Sequence, residues 1–557
     1  MAFAIDHRCI LAALLVIAST STLVYFGNGL NPFWPLLWFA PLPVLLFVAR
    51  SSWWAAALTA FLSWLIGGLN MLHYFTLLQI PWLAVYSFIA LVFTVAVLLF
   101  RALLLRGATW SALVAFPATW VSFEFTLARL ASGGTAGSLS YSQLHFLPFL
   151  QFASLTGPWG MSFVLLLFSS TLAIGLHLRP IASGQAIRVV VVGLGVIALV
   201  LIFGAVRLAQ PSPQLQEKVG LIASDTSANV DVASPGTDTQ RLFRAYSAVA
   251  ENLAAQGAQI IVLPEKLGIA VTPDTGATDD LFQSLTDKTG STIVVGLVHS
   301  SPPLKYNEAR VYTPSGPTLS YEKHHLLPPF ESNLTPGTSL TLLHKPSATW
   351  GVTICKDLDF TGLSRQYGRA GAGLMLVPGW DFNLDRAWHG HIAIMRGVED
   401  GFSIVRAAKN GYLTVTDDRG RILAETRSDS APFATLIAEV PAVHDTTLYL
   451  LLGDWFAWLS LATLAFALAR LLLLRRRGLA VIRDCGVFDN LLEAGAAPYL
   501  AYSLIAFASC CFKIFAIEDA DAPPAIRNQP ILLQGSGGQG DRCAARAQHI
   551  PKKLLGQ

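Results

Sequence analysis

Three short segments each place a reactive side chain just after an apolar, β-type run: Ile260-Ile-Val-Leu-Pro-Glu265, Tyr321-Glu-Lys323-His-His-Leu-Leu-Pro-Pro-Phe-Glu331 and Val352-Thr-Ile-Cys355-Lys-Asp. In α/β proteins a rigid sheet commonly carries its reactive groups on the loops that follow its strands. A thiol of ordinary pKa, about 8.5, needs a base before it can act as a nucleophile at neutral pH. Its attack on a carbonyl also needs a cation or an N–H to hold the developing oxyanion. A carboxylate, an amine and a thiol are the residue types for that chemistry. Taken singly, each segment has a plainer reading: Pro-Glu as a turn, Lys323 as a solvated loop residue, Cys355 as a small buried hydrophobe.

The elements that must position these groups follow from composition. The chain has 557 residues, 53% hydrophobic and 13% charged, with a mean hydropathy of +0.52. That is too apolar for a soluble protein of this length and excludes a disordered one. A net charge of +3 is too small to suggest a nucleic-acid partner. The six cysteines follow neither a zinc-site nor a disulfide-framework spacing. Up to Leu208 the only Lys or Arg residues are Arg8, Arg50, Arg101, Arg106, Arg129, Arg179, Arg188 and Arg207, and the only acids are Asp6 and Glu124. Apolar stretches at Cys9–Phe26, Phe33–Val48, Trp54–Phe75, Trp82–Phe100, Ala108–Phe125, Phe146–His177 and Arg188–Ala205 are read as membrane spans, which need roughly 20 residues each. The first is read as a retained helix, since no cleavage site and soluble domain follow it.

Residues 1–209 are thus expected to form about seven transmembrane helices. Beyond the Gln210-Pro-Ser-Pro linker, residues 210–445 alternate β-type runs with helical stretches, which predicts an α/β domain. Strands are expected at Lys218–Ala223, Ile260–Leu263, Ser291–Val298, Thr349–Cys355, Gly373–Val377 and Phe402–Ala407, and helices at Gln240–Gln256 and Trp388–Asp400. Residues 446–477 return the chain through the membrane by the run Tyr449–Leu474, which ends in Arg475-Arg476-Arg477. From a cytoplasmic N-terminus, the Arg50, Arg101/Arg106 and Arg179/Arg188 positions and the Arg475–Arg477 run all fall inside, and the α/β domain falls outside. Residues 478–557 form a tail to which no function is assigned, with one further apolar stretch at Ala496–Ile517.

Glu265, Lys323 and Cys355, about 60 and 30 residues apart, resemble the Glu-Lys-Cys triad of the nitrilase, or carbon-nitrogen hydrolase, superfamily. With seven apolar segments before that domain and one after, residues 9–477 resemble the apolipoprotein N-acyltransferases, its membrane-bound members. Pro41-Leu-Pro-Val-Leu, Trp120 with Glu124, Gly137-Ser-Leu-Ser-Tyr-Ser-Gln143, Leu155-Thr-Gly-Pro-Trp-Gly-Met-Ser-Phe163 and Thr447-Leu-Tyr-Leu-Leu-Leu-Gly-Asp-Trp-Phe456 carry the likeness further. The resemblance implies an extracytoplasmic αββα sandwich on the bacterial cytoplasmic (inner) membrane. It implies Cys355 as nucleophile, Glu265 as general base, Lys323 as oxyanion stabiliser and Glu331, eight residues after the lysine, in support. It also implies transfer of an acyl chain from a membrane phospholipid donor, through a thioester, to the amine of a diacylated apolipoprotein acceptor, without cofactor or metal. At the nucleophile the family pattern is Cys-Tyr-Glu, whereas this chain has Cys355-Lys356-Asp357. A membrane-anchored nitrilase-type amidase, or an N-acyltransferase with a different amine acceptor, would keep the same three residues.

Other polar groups are read more plainly. His324-His325 and Trp388-His-Gly-His391 lack a third ligand at a metal-site spacing and are read as loop walls. Arg396 and Glu399 fit an ion pair three apart on a helix, and Asn410-Gly411 a tight turn. Trp380, Phe382 and Trp388 fit either core or an acyl-chain contact. Glu124 stands apart, because an acid within a span is costly unless it is partnered or meets water.

Overall fold

A computed structural model describes residues 7–211, 215–273, 275–346 and 348–484. The expected tail lies almost wholly outside these residues, as do Cys485, Cys510, Cys511 and Cys543.

Seven described helices are long and apolar enough to cross a membrane: His7–Gly27, Trp53–Leu77, Trp82–Leu104, Thr109–Leu130, Ala153–Leu178, Ser183–Ala209 and Trp455–Arg475. The stretch expected at Phe33–Val48 is instead two short helices, Pro35–Phe39 and Leu42–Val48, broken at Ala40-Pro41. Pro41 and Pro43 remove two backbone donors there, so a continuous ladder cannot form. This broken segment still returns the chain. Ser21 Oγ donates to Ser63 O at 3.0 Å and Asn70 Nδ2 to Tyr25 O and Asn28 O at 2.7 Å, so His7–Gly27 and Trp53–Leu77 run parallel and residues 28–52 travel back between them. Phe146–His177 also divides, into Leu147–Leu150 and a helix kinked at Gly157, where φ is +64°. A Cβ at Gly157 would lie 2.4 Å from the Tyr449 ring, so only glycine fits that approach.

The bundle has two chemically different ends. Arg101 donates to Val48 O and Ser51 O at 2.8 and 2.7 Å, and Arg50 shares a cleft with Arg179. At the other end, about 39 Å along the 26-residue helix Ala153–Leu178, Gln151 Nε2 donates to Arg419 O at 2.8 Å and Arg207 meets Asp445 at 3.0 Å. The α/β domain therefore stands on the end away from Arg50, Arg101 and Arg179.

That domain is a sandwich of two sheets. The strands are β1 Gln216–Ala223, β2 Ile260–Val262, β3 Ile269–Val271, β4 Thr292–Ser301, β5 Leu304–Tyr312, β6 Leu319–Glu322, β7 Thr341–His344, β8 Thr349–Val352, β9 Ala372–Trp380, β10 Ser403–Lys409, β11 Tyr412–Thr416, β12 Ile422–Arg427 and β13 Ala434–Pro441. One sheet has the order β13-β1-β2-β4-β5-β6, with β3 beside β4; the other has β12-β11-β10-β9-β8-β7. β1, β2 and β4 are parallel to one another, as are β8, β9 and β10. Leu221, Val262, Val294 and Tyr321 of the first sheet pack against Val352, Leu376, Val405 and Leu413 of the second. Helices Thr237–Ala255 and Gly276–Thr289 cover the first sheet through Phe243, Tyr246 and Phe282. Helix Trp388–Asp400 lies between the second sheet and the bundle, with Ile392, Ile394, Met395 and Val398 joining the membrane core. The layers are αββα, mounted on the bundle.

Candidate active site

The three chemistry-bearing residues sit where strands end: Glu265 three residues after β2, Lys323 directly after β6 and Cys355 three residues after β8. The strand expected at Thr349–Cys355 stops at Val352 because the chain turns there. Cys355 has φ +42° and opens the 3-10 turn Cys355–Asp359. A left-handed backbone at a non-glycine residue costs of order 1–3 kcal/mol and persists only where the surroundings enforce it.

All four expected site residues are buried, and they are brought together. Lys323 Nζ lies 2.9 Å from Glu265 Oε1 and 3.0 Å from Glu331 Oε2. Asn307 Nδ2 donates to both carboxylates, at 2.6 Å to Glu265 Oε1 and 2.8 Å to Glu331 Oε1. Lys266 Nζ adds a 2.6 Å contact to Glu331 Oε1, and the Leu327 N–H donates to Glu331 Oε2 at 2.8 Å. Glu265 Oε2 is left buried and without a hydrogen-bond partner among the described residues. Backbone bonds fix the carriers: Glu265 N to Gly379 O at 3.2 Å, and Lys323 N to Asn307 O at 2.8 Å.

The electrostatics follow from burial against pairing. Burial disfavours the Lys323 ammonium, yet Glu265 and Glu331 outweigh it and hold the amine charged far above its usual range. Burial likewise works against the Glu331 carboxylate, but Lys323 and Lys266 pull it down to about 2. The Cys355 thiol is pushed up to about 11, by burial first and by the Glu265 charge second, against the pull of Arg406 and Lys323. At neutral pH it is a thiol that must lose its proton to a neighbour as it reacts.

Around this centre the structure adds Asn307, Lys266, Arg406 and Lys409, which sequence reasoning did not single out. Asn307 and Lys266 tie the two carboxylates together. Arg406 Nη2 lies 3.8 Å from Cys355 Sγ, and Trp380 O lies 3.7 Å from it. Lys409 Nζ, 3.7 Å above the Trp380 ring, donates to Val230 O and Lys266 O at 2.8 and 3.2 Å; burial lowers it to about 7. For Arg406 a signal existed, since a charge inside the apolar run Phe402–Ala407 is out of place in a core strand.

The nucleophile turn is also tied to the membrane domain. Lys356 Nζ donates to Ser132 O at 2.6 Å and to Leu326 O at 3.3 Å, pointing away to the loop after helix Thr109–Leu130. Thr135 N and Oγ1 both donate to Asp359 O, at 2.9 and 2.7 Å. Asp357 accepts from Tyr321 Oη at 2.7 Å and from His325 N and Nδ1 at 2.7 and 3.0 Å. Burial opposes its charge, but the His325 bond and the Lys323 charge bring it below the usual carboxylate range. His389 lies between Asp359 and Asp385, at 3.2 and 3.5 Å. Glu124 is buried and partnered by Trp120 Nε1, Ser138 Oγ and Leu139 N at 2.8, 3.0 and 2.8 Å, which gives that intramembrane acid a structural role.

A four-layer sandwich with these groups at its strand ends, carried on apolar helices, defines a membrane-bound protein of the carbon-nitrogen hydrolase class. Comparison with known proteins agrees. Residues 13–171 match the apolipoprotein N-acyltransferase N-terminal domain, and residues 226–444 match the carbon-nitrogen hydrolase family. The chain is 28% identical to apolipoprotein N-acyltransferase of Geobacter metallireducens, over 78% of this chain and 90% of that one. It is 25% identical to the enzyme of the same name from Vibrio cholerae, over 77% of this chain and 92% of that one. Among solved structures, an amidase from Nesterenkonia sp. is 20% identical, covering 42% of this chain and 91% of that one, with a TM-score of 0.36. The chain thus joins the N-terminal domain of the apolipoprotein N-acyltransferases to a carbon-nitrogen hydrolase domain, and it is similar to proteins of that name over most of their length.

Proposed function

We propose that the protein transfers an acyl chain from a membrane phospholipid, through a thioester on Cys355, to the α-amine of the diacylglyceryl-cysteine that begins an apolipoprotein. The observation that carries this reading is the buried group of Glu265, Lys323 and Glu331 beside a cysteine held at positive φ, in a chain that also has the family's membrane domain.

In the first half-reaction Glu265 Oε2, which has no hydrogen-bond partner among the described residues, takes the Cys355 proton. The sulfur attacks the ester carbonyl, and the Lys323 ammonium with a backbone N–H holds the oxyanion, a contribution of about 3–4 kcal/mol per well-placed donor. Collapse breaks the C–O bond, the glyceryl oxygen takes the proton back from Glu265, and a lysophospholipid leaves. In the second half-reaction the neutral amine attacks the thioester and gives its proton to Glu265. The C–S bond breaks, the sulfur is reprotonated and the amide is released. Both substrates are bilayer lipids, which accounts for mounting the domain on a bundle. Glu331 and Asn307 position Lys323 and Glu265.

The proposed setting is the bacterial cytoplasmic membrane with the α/β domain on the extracytoplasmic face. Support comes from the arginines gathered at the far end of the bundle, the end that positive-inside placement assigns to the cytoplasm. A reporter fused after Ser301 is expected to be active only outside, and cytoplasmic activity would overturn the orientation. For the mechanism, Cys355→Ala is expected to abolish acylation of a diacylated lipopeptide while Cys9→Ala leaves it intact. Unchanged turnover in Cys355→Ala would remove the thioester route.

A further inference from the structure

Strand β10 carries a charge that its neighbours do not explain. Arg406 stands between Val405 and Ala407, both fully buried, and is itself only 1% exposed. Asp381, one residue past β9, grips it with two contacts, Nη1 to Oδ2 at 2.9 Å and Nη2 to Oδ1 at 2.5 Å. Asp381 is fixed in turn by its N–H donating to Lys409 O at 2.9 Å. As a structural ion pair, these two contacts would suffice to hold the guanidinium, whose Nε has no partner among the described residues. A buried pair of that kind is seldom more stable than apolar packing of the same volume. Here, however, Nη2 also faces the nucleophile, 3.8 Å from Cys355 Sγ.

The surroundings are shaped to allow it. A Cβ at Gly411 would fall 2.2 Å from Asp381 Oδ2, and one at Gly379 would fall 3.0 Å from Arg406 Nη2. Absent side chains on the chain after β10 and on β9 therefore leave the room in which the pair meets the sulfur. The charges facing the sulfur come from four elements: Glu265 after β2, Lys323 after β6, Asp381 after β9 and Arg406 on β10, with Asp385 and His389 beyond Asp381. Of the two cations, Lys323 is held by two carboxylates at 2.9 and 3.0 Å, whereas Arg406 is the one in contact with sulfur.

We propose that Arg406, oriented by Asp381, is a further catalytic residue, the cation that stabilises negative charge on the Cys355 sulfur while Lys323 serves the carbonyl oxygen. This rests on Cys355 being the nucleophile. The balance is simple: the thiol proton passes to Glu265, the sulfur becomes anionic against the guanidinium, and the now neutral Glu265 frees part of the Lys323 charge for the oxyanion. When sulfur later leaves the thioester carbon, Arg406 receives it as thiolate before the proton returns.

The test is the rate at which iodoacetamide alkylates Cys355 in the full-length protein in detergent micelles, followed by peptide mass spectrometry between pH 7 and about 9.5, below the thiol's midpoint. The double variant Arg406→Met/Asp381→Asn removes both charges without leaving a buried carboxylate unpaired, and Arg406→Lys keeps the charge. The double variant should alkylate about tenfold more slowly at each pH, the equivalent of about one pKa unit, with an unchanged Tm. Arg406→Lys should recover most of that loss. Alkylation of the double variant within about twofold of the parent, even if turnover falls, would reduce Arg406 to a structural role and overturn the proposal. A different failure, turnover by the parent after Cys355 has been fully alkylated, would remove the nucleophile itself and the proposal with it.

Discussion

Two buried ionic clusters in this molecule look alike and do different work. One is the candidate active site. The other joins the α/β domain to the bundle: Arg396 pairs with Glu399 at 2.9 Å and donates to Tyr141 Oη at 2.9 Å, Ser364 donates to Asp400, and Asp454 gathers Arg129, Arg365, Trp159 and Tyr449 at 2.8, 3.1, 2.9 and 2.7 Å. Both clusters contain a carboxylate oxygen without a hydrogen-bond partner among the described residues, Glu265 Oε2 in one and Glu399 Oε2 in the other. The difference lies in what faces that oxygen's cluster. The active site has a thiol on a left-handed turn, whereas the joint offers hydroxyls, each already engaged. Their charges also diverge. Glu331 is held near 2 by two lysines against its burial, while burial pushes Asp400 up to about 6 and Glu399 well above the usual carboxylate range, with too little compensation from the arginines. Buried charge alone does not mark an active site; a nucleophile beside a carboxylate oxygen free to take its proton does.

The contrast can be broken by substitution. The largest effect expected is for Cys355→Ala, which should lower acyl transfer at least ~10³-fold with Tm unchanged, measured with a lipopeptide acceptor. Lys323→Met should follow at about 10²–10³-fold in kcat. Its Tm should shift as well, because two carboxylates lose their cation. In the joint the order reverses: Arg396→Met should cost about 1–3 kcal/mol of stability by taking the donor from buried Glu399 and Tyr141, while the folded fraction keeps near-normal specific activity. Loss of activity without loss of stability in that variant would merge the two clusters into one functional unit.

The joint should also respond to pH. Because the folded-state pKa of Asp400, about 6, lies above the ordinary 3.8, its contribution to stability is present below the unfolded value and is lost as pH rises through about 6. Asp400→Asn should therefore flatten the Tm-versus-pH curve between about pH 4 and 7. An unaltered curve would show that other groups carry it. The smallest effect concerns Lys356, whose ammonium bridges Ser132 O and Leu326 O. Lys356→Met should lower kcat/KM about tenfold by loosening the turn against the membrane loop, and Lys356→Arg should restore much of it.

What the sequence disclosed depended on whether an element's reason lay within it. The core strands β1, β2, β4, β9 and β10 were legible because each contains an apolar run, as parallel strands in the middle of a covered sheet do. β5 was not: Lys305, Asn307, Glu308 and Arg310 give it a polar look, and the partners that account for it come partly from the strand itself, Arg310 with Glu308, and partly from elsewhere, Glu265 and Glu331 for Asn307 and Asp279 for Arg310. β12 is exposed or half-buried along its whole length, and its apolar signal is no longer than Ile422-Leu-Ala424. In the bundle, hydropathy marked the spans, but Pro41 and Gly157 decided where they break. At the site, the triad residues were visible from their type and their place after apolar runs. Asn307, Lys266 and Lys409 were not, because their value comes from contacts with residues far away in the chain. The effect of Lys356 after the nucleophile, read from sequence as a change near the chemistry, proves in the structure to be a contact with the membrane domain.

The most direct test of the central claim is mass spectrometry of the purified full-length protein incubated with phosphatidylethanolamine, with and without a diacylated lipopeptide. An acyl mass on the peptide that contains Cys355 is expected without acceptor, and it should disappear as the lipopeptide gains an amide-linked chain. Amide formation with no acyl adduct on that peptide at any time, or with Cys355→Ala fully active, would contradict it.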